Sequence, residues 1–174
     1  MLPAINKILF ATDLSETARH AFTYAVFMAD KLNASLEIVH IVREDAPFNM
    51  EVLKIGLGED LFKKFEVQKT QTARDVLIGK KTEALVMGEA ISRLADEAEK
   101  KLERAVPLTI KEKVIKSKSV SEELLNLVRS GDFDMLVIGH RKRHLLTSGL
   151  GDGTLKNVLK RLTVPVMVVP HPSC

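Results

Sequence analysis

The chain has 174 residues, 26 basic and 23 acidic, with a net charge of +3, 45% hydrophobic content and a single cysteine, Cys174. This length suits one domain with a substantial core; charges so evenly balanced argue against a dedicated nucleic-acid binder, and one cysteine cannot form an internal disulfide or a cysteine metal cluster. No uninterrupted apolar run reaches the roughly 18 residues of a bilayer span, and Met1 to Lys7 shows no charged leader before an apolar stretch, so the expectation is a cytoplasmic protein without a membrane partner.

Ile5 to Ala11 predicts a first strand, and Thr12-Asp13-Leu14-Ser15 a short turn into a helix. Ser15 is the expected N-cap, because its hydroxyl can accept from an unpaired N–H of the first turn. Ala18, Ala21, Phe22, Ala25, Met28, Ala29 and Leu32 then recur at helical spacing, and their small side chains allow close packing on a sheet. Asn33-Ala34-Ser35 ends that helix, and Leu36 to Val42 predicts a second strand, completing a right-handed βαβ unit.

Arg43 to Pro107 is long for a bare loop in a compact domain and should carry structure of its own. Ile91, Leu94, Ala95, Ala98, Leu102 and Ala105 form an amphipathic helical stripe; Phe48 to Val67 has no clean period, and Lys69 to Lys81 is mostly polar. The expected organisation is one domain over 1–174 with a variable helical insertion at about 43–107, placed beside a ligand crevice or a second subunit.

Thr109 to Ile115 alternates apolar and charged residues, as suits a strand near a sheet edge. Ser119-Val-Ser-Glu122 has capping-box spacing, with Glu122 expected to reach back, ahead of Leu124, Leu125, Leu127 and Val128. Met135 to Ile138 is apolar throughout, the pattern of a central strand covered on both faces, and Gly139 is expected to end it with a sharp turn. Gly153-Thr154 opens a last helix through Leu155, Val158, Leu159 and Leu162, with Lys156, Lys160 and Arg161 along it. Val166 to Val169 is a fifth strand, stopped by Pro170 and Pro172.

The fold class is therefore α/β, a doubly wound five-stranded parallel sheet with helices on both faces. In such sheets a ligand sits beyond the carboxyl ends of the strands where the winding reverses. That crevice would be lined by Ala11 to Ser15, by Ile41 and Val42, and by Gly139 to Thr154.

In this order, Ile8-Leu-Phe-Ala-Thr-Asp13-Leu-Ser15, Leu36 to Val42, Gly131-Asp-Phe-Asp-Met-Leu-Val-Ile-Gly139, and Gly153-Thr154 before Val164-Pro-Val-Met-Val-Val169 resemble the universal stress protein family. The resemblance covers Ile5 to Val42 and Thr109 to Val169. It implies the adenine nucleotide alpha hydrolase-like fold and a non-enzymatic stress-response protein that binds ATP or a related adenine nucleotide without rapid turnover, Mg2+ accompanying the nucleotide when bound. It also implies a homodimer formed through the strand Val166–Val169. The nucleotide-binding members carry Gly, two residues, Gly, nine residues, then Gly-Ser or Gly-Thr. Gly139 matches the first glycine and Gly153-Thr154 the last pair, whereas Lys142 replaces the second glycine and the spacer Arg143 to Asp152 has ten residues. The residues implied to hold nucleotide are Ala11, Thr12, Asp13, Ile41, Gly139, Arg141, Lys142, Gly153 and Thr154.

Plainer readings stand beside these. Asp13 is also the residue type favoured for capping a turn, and Arg141-Lys-Arg-His144 is a short basic run without the interleaved aromatics that stack bases. The histidines at 20, 40, 140, 144 and 171 show no metal-ligand spacing, and no serine sits in a Gly-x-Ser-x-Gly elbow. Lys142, the lengthened spacer and the Asp152 carboxylate also suit a dimeric interaction module of the same fold without a nucleotide site, while an electron-transfer-flavoprotein or adenylating enzyme would need domains and loops the chain lacks.

Overall fold

The computed structural model describes residues 3–45, 83–102, 108–140 and 152–172. Along these the elements run β1 (Lys7–Thr12), α1 (Glu16–Leu32), β2 (Ser35–Arg43), α2 (Glu83–Lys101), β3 (Ile110–Ser117), α3 (Val120–Ser130), β4 (Met135–His140), α4 (Asp152–Arg161) and β5 (Val166–Pro170). The strands form one five-stranded sheet in the order β3-β2-β1-β4-β5, every neighbouring pair parallel. The predicted α/β fold with its doubly wound sheet is the one observed, and the winding reverses between β1 and β4.

Because side chains alternate across a strand, the apolar run of β1 serves both faces. Ile8 and Phe10 join Ile38 and Val137 under α1 and α2; Leu9 and Ala11 join Val39, Leu136 and Ile138 under α3 and α4. On α1, Ala18, Ala21, Ala25 and Ala29 are all nearly or fully buried, so the helix axis can approach the sheet closely. Its start is fixed by Ser15, whose Oγ accepts from Ala18 N at 3.1 Å, and its end by Asn33, which adopts the left-handed conformation at φ 53°.

The amino ends of the central strands are tied by Asp134 and Lys7. Asp134 Oδ2 accepts from Asn6 N at 2.8 Å and from Lys7 N at 3.0 Å, joining the start of β4 to that of β1. Lys7 Nζ in turn donates to Gly131 O at 2.9 Å, lies 4.1 Å from the centroid of the Phe133 ring and pairs with Glu37 of β2 at 3.5 Å.

Several boundaries differ from expectation. Helix α2 begins already at Glu83, well before the stripe at Ile91, and Gly88 sits within it where an added Cβ would meet nothing within 4 Å. Only half of the capping box forms. Ser119 Oγ accepts from Glu122 N at 3.4 Å, but the Glu122 carboxylate turns to Arg161, with Nη2 to Oε2 at 3.1 Å and Nη1 on Oε1, because a two-pronged, charge-assisted bond outweighs one bond back to the cap. This pair joins the first turn of α3 to the last of α4. Strand β3 occupies a sheet edge, with Lys111, Glu112 and Lys113 exposed along it, which discourages further pairing there. Strand β5 forms the other edge and is largely uncharged. Phe48 to Val67, Lys69 to Lys81 and Ala105 lie outside the described residues.

Candidate functional site

The ladder between β1 and β4 runs from Ile8 opposite Met135 to Ala11 opposite Ile138 and stops there. Each strand continues, β1 to Thr12 beside β2 and β4 to His140 beside β5, so the two strands stop pairing with each other at the reversal point, where doubly wound sheets place a ligand crevice. The turn that leaves β1 forms one wall. Thr12 Oγ1 accepts from Leu14 N at 3.0 Å and Asp13 Oδ1 accepts from Ser15 N at 3.0 Å, two side chains each bonding the backbone two residues ahead. Between them Leu14 holds φ 60°, a conformation costly for a branched side chain, and is kept there by burial to 1% exposure beside Phe10 and Ala18. Asp13 thus has a turn-closing role just past the carboxyl end of β1.

A second wall of this turn comes from β2. His40 is opposite Thr12 in the ladder, is 7% exposed, and places Nδ1 2.8 Å from Thr12 O. A carbonyl only accepts, so Nδ1 carries the hydrogen. The signal for this residue was in the sequence, since a histidine inside the run Leu36 to Val42 must be buried and a buried imidazole needs a partner.

The glycine motif divides into unlike parts. Gly139 does not end its strand: it pairs with Val169, His140 continues opposite Pro170, and His140 O accepts from His171 N at 3.0 Å. Its backbone does not use the left-handed region, and a Cβ there would lie 3.0 Å from Thr17 O and 3.1 Å from Thr17 C and Cγ2. The first glycine is therefore required by the closeness of α1 to β4, and the expected sharp turn is absent. Gly153, in the first turn of α4, is exposed, and a Cβ would meet nothing within 4 Å, so the protein's own packing makes no demand for glycine there. Leu155 seats that turn in the cluster containing Ala11 and Ile138, at the same end of the sheet.

Of the other implied residues, Thr154 is half-buried beside Gly153. Ala11 and Ile41 are core residues, at 3% and 9% exposure, and β2 continues past Ile41 to Arg43. Arg141 and Lys142 lie outside the described residues, as does the remainder of the loop to 151. The structure thus sets Thr12 and Gly139 each one residue past the last β1–β4 pair, at the carboxyl end of the sheet, with Asp13 next along the chain. Among the described residues no group of three or more His, Cys, Asp or Glu side chains gathers as a metal site, and no helix is long and apolar enough to cross a membrane.

A separate groove of about 370 Å³ lies between α1 and α2, walled by Phe22, Val26, Phe27, Leu94, Ala98 and Leu102. It is formed by helix faces away from the strand ends, and the α1 residue Phe27 on its wall is 54% exposed. The helical stripes marked Phe22, Leu94, Ala98 and Leu102 as core but not Val26 or Phe27; Phe22 and Val26 are buried at 6% exposure each, and Phe27 is the open member of the wall.

Comparison with known proteins agrees with this architecture. A profile of the Universal stress protein family matches residues 4–170. No curated protein sequence matches the chain. Among solved structures, the universal stress protein UspA from Lactobacillus plantarum superposes with a TM-score of 0.60 at 17% identity, covering 97% of this chain and 99% of that one. A universal stress protein in complex with cAMP gives 0.56 at 17% identity, over 96% and 98% of the two chains. One from Archaeoglobus fulgidus in complex with dAMP gives 0.54 at 12% identity, over 97% and 99%. With the profile spanning nearly the whole length and the parallel sheet in place, the chain belongs to the universal stress protein family.

Proposed function

We propose that this protein is a non-enzymatic, cytoplasmic stress-response protein that holds ATP or a related adenine nucleotide in the crevice between β1 and β4. The observation that carries this reading is the bare start of α4 at that end of the sheet. Gly153 leaves open space where any other residue would set a side chain, and the N–H groups of a helix's first turn are suited to a phosphate. Thr12 and Asp13 border the opening from β1, and Thr154 follows the glycine. Relatives of this fold in complex with cAMP and dAMP support adenine as the base. Mg2+ enters with the nucleotide, and Arg141 and Lys142 are the cations of the intervening loop proposed to meet its phosphates. The largely uncharged edge strand β5 supports a homodimer formed through Val166–Val169.

Calorimetry with ATP and magnesium at millimolar concentrations tests the reading, and heats no larger than those of dilution would refute it. A second reading, an interaction module of the same fold without nucleotide, rests on Lys142 in place of the motif's second glycine and on the ten-residue spacer. Under it the wild type shows no binding and Lys142→Gly creates it; binding by the wild type removes this alternative.

A further inference from the structure

We propose that the groove between α1 and α2 is a binding site for a single-chain amphiphile with an anionic head, a fatty acid in its simplest form, with the chain along the helices and the carboxylate at Arg19. The groove holds about 370 Å³. That lies within the range of small-molecule sites, which are mostly apolar with a few polar groups that set orientation. Its lining follows the same plan: Phe22 and Val26 are buried, Leu94, Ala98 and Leu102 come from α2, and Phe27 is left 54% exposed. Along α1 the lining residues run from Arg19 to Lys31, a length of about 18 Å at 1.5 Å per residue. One extended acyl chain is about 15 Å long, half the roughly 30 Å hydrocarbon core of a bilayer, so the groove admits one chain and its head.

The charges on the rim select the head group and the end at which it sits. At the far end, Lys31 Nζ pairs with Asp30 at 3.2 Å and lies 5.7 Å from the centroid of the Phe27 ring, so this cation is already satisfied. At the near end, Arg19 is half-buried and pairs with no carboxylate among the described residues. Glu16, one turn before it, is exposed and does not reach it. A partly desolvated guanidinium gains from an anion more than from water, because its fork of donors meets a carboxylate with two bonds at once. The other rim charge, Glu97 on α2, is also without an ion pair among the described residues. Arg93 and Lys100 stand one turn to either side of it on the same helix and offset its charge. A chain-shaped apolar bed with an uncompensated cation at one end thus fits an anionic head better than a neutral or cationic one.

Calorimetry on the whole protein with dodecanoate, dodecanol and dodecylammonium, each kept below the concentration at which it aggregates, reads both parts of the site. Dodecanoate should bind one to one and about five- to tenfold tighter than dodecanol, the effect of one charge-assisted bond, with dodecylammonium the weakest. Each methylene removed from the acid should weaken binding by about two- to fourfold, less than full burial gives because one side of the groove faces water. Arg19→Gln should bring dodecanoate to the affinity of dodecanol and leave dodecanol unchanged. Phe27→Asp, at an exposed position that should leave the melting temperature near that of wild type, should weaken both by tenfold or more. No binding of dodecanoate would overturn the proposal, as would equal affinity for the three head groups or dodecanoate binding that survives Phe27→Asp. A Phe27→Asp protein that sediments at half the mass of wild type would also overturn it, since the groove would then seat a second copy of the chain. None of these measurements uses nucleotide, so their outcome stands apart from the function proposed above.

Discussion

Replacing Gly139 by alanine separates two explanations of the family's first motif glycine. The new Cβ would lie 3.0 Å from Thr17 O and 3.1 Å from Thr17 C and Cγ2, where ordinary contacts begin near 3.4 Å. Two of these atoms are backbone in the first turn of α1. That turn is held by Ser15, through Ala18 N to Oγ at 3.1 Å and Arg19 N to the Ser15 carbonyl at 2.9 Å. The helix must therefore move by a few tenths of an ångström or the strand must bend. Overpacking of this kind costs about 1–3 kcal/mol, offset by about 0.5–1 kcal/mol because alanine loses less backbone entropy than glycine. Taking the middle of each range, a net loss of about 1 kcal/mol follows, or a Tm lower by roughly 2–4 °C for a chain of this size. Urea denaturation and thermal melting of the nucleotide-free protein measure it. Thr17→Ser in the same background should recover only part of the loss, since it removes Cγ2 and leaves the two backbone contacts. If Gly139→Ala melts at the wild-type temperature while its nucleotide affinity falls, the glycine serves the ligand and the packing argument is wrong.

Among the described residues Thr17 Oγ1 is buried without a hydrogen-bond partner, so Thr17→Val, which replaces the hydroxyl by a methyl of similar size, should raise stability by about 1 kcal/mol in urea titrations. Leu14→Gly relieves the φ of 60° but discards a side chain only 1% exposed; the burial, about 2–4 kcal/mol, exceeds the relief of about 1–2 kcal/mol, so a net loss is expected in the same assay. The hydrogen bond from Arg161 holds the Glu122 carboxyl below its ordinary value of 4.5. A depressed carboxyl contributes stability that is present above the unfolded value and lost as pH falls through the folded one. Glu122→Gln should therefore melt slightly below wild type at pH 7, with the gap closing as the pH falls below the ordinary carboxyl value of 4.5, whereas a gap independent of pH would show that the ion pair contributes nothing.

What could be read from the residues was what depends on local pattern. The helical spacing from Ala18 to Leu32, the Ser15 cap, and the unbroken apolar runs of β1 and β4 each determine an element and which of its sides is buried, because periodicity and capping act within a few residues. With the order of elements, they also determined a doubly wound sheet and the end of it at which a ligand would sit. Strand ends were less legible, since they depend on partners: Gly139 has the local features of a turn residue, yet pairing with Val169 carries the strand past it.

The chemistry at the crevice was decided by contacts between residues far apart in the chain. Sequence could mark Gly139 and Gly153 as members of one motif, and only the approach of Thr17 distinguishes the first, required by packing, from the second, which faces open space. Likewise, His40 and Thr12 each fit their own strand, and the bond between them exists because parallel pairing sets them opposite one another. Local patterning thus determined the elements and their order. Tertiary packing decided the role of each residue at the opening, since a buried polar group or a missing side chain acquires its purpose from whatever lies across from it.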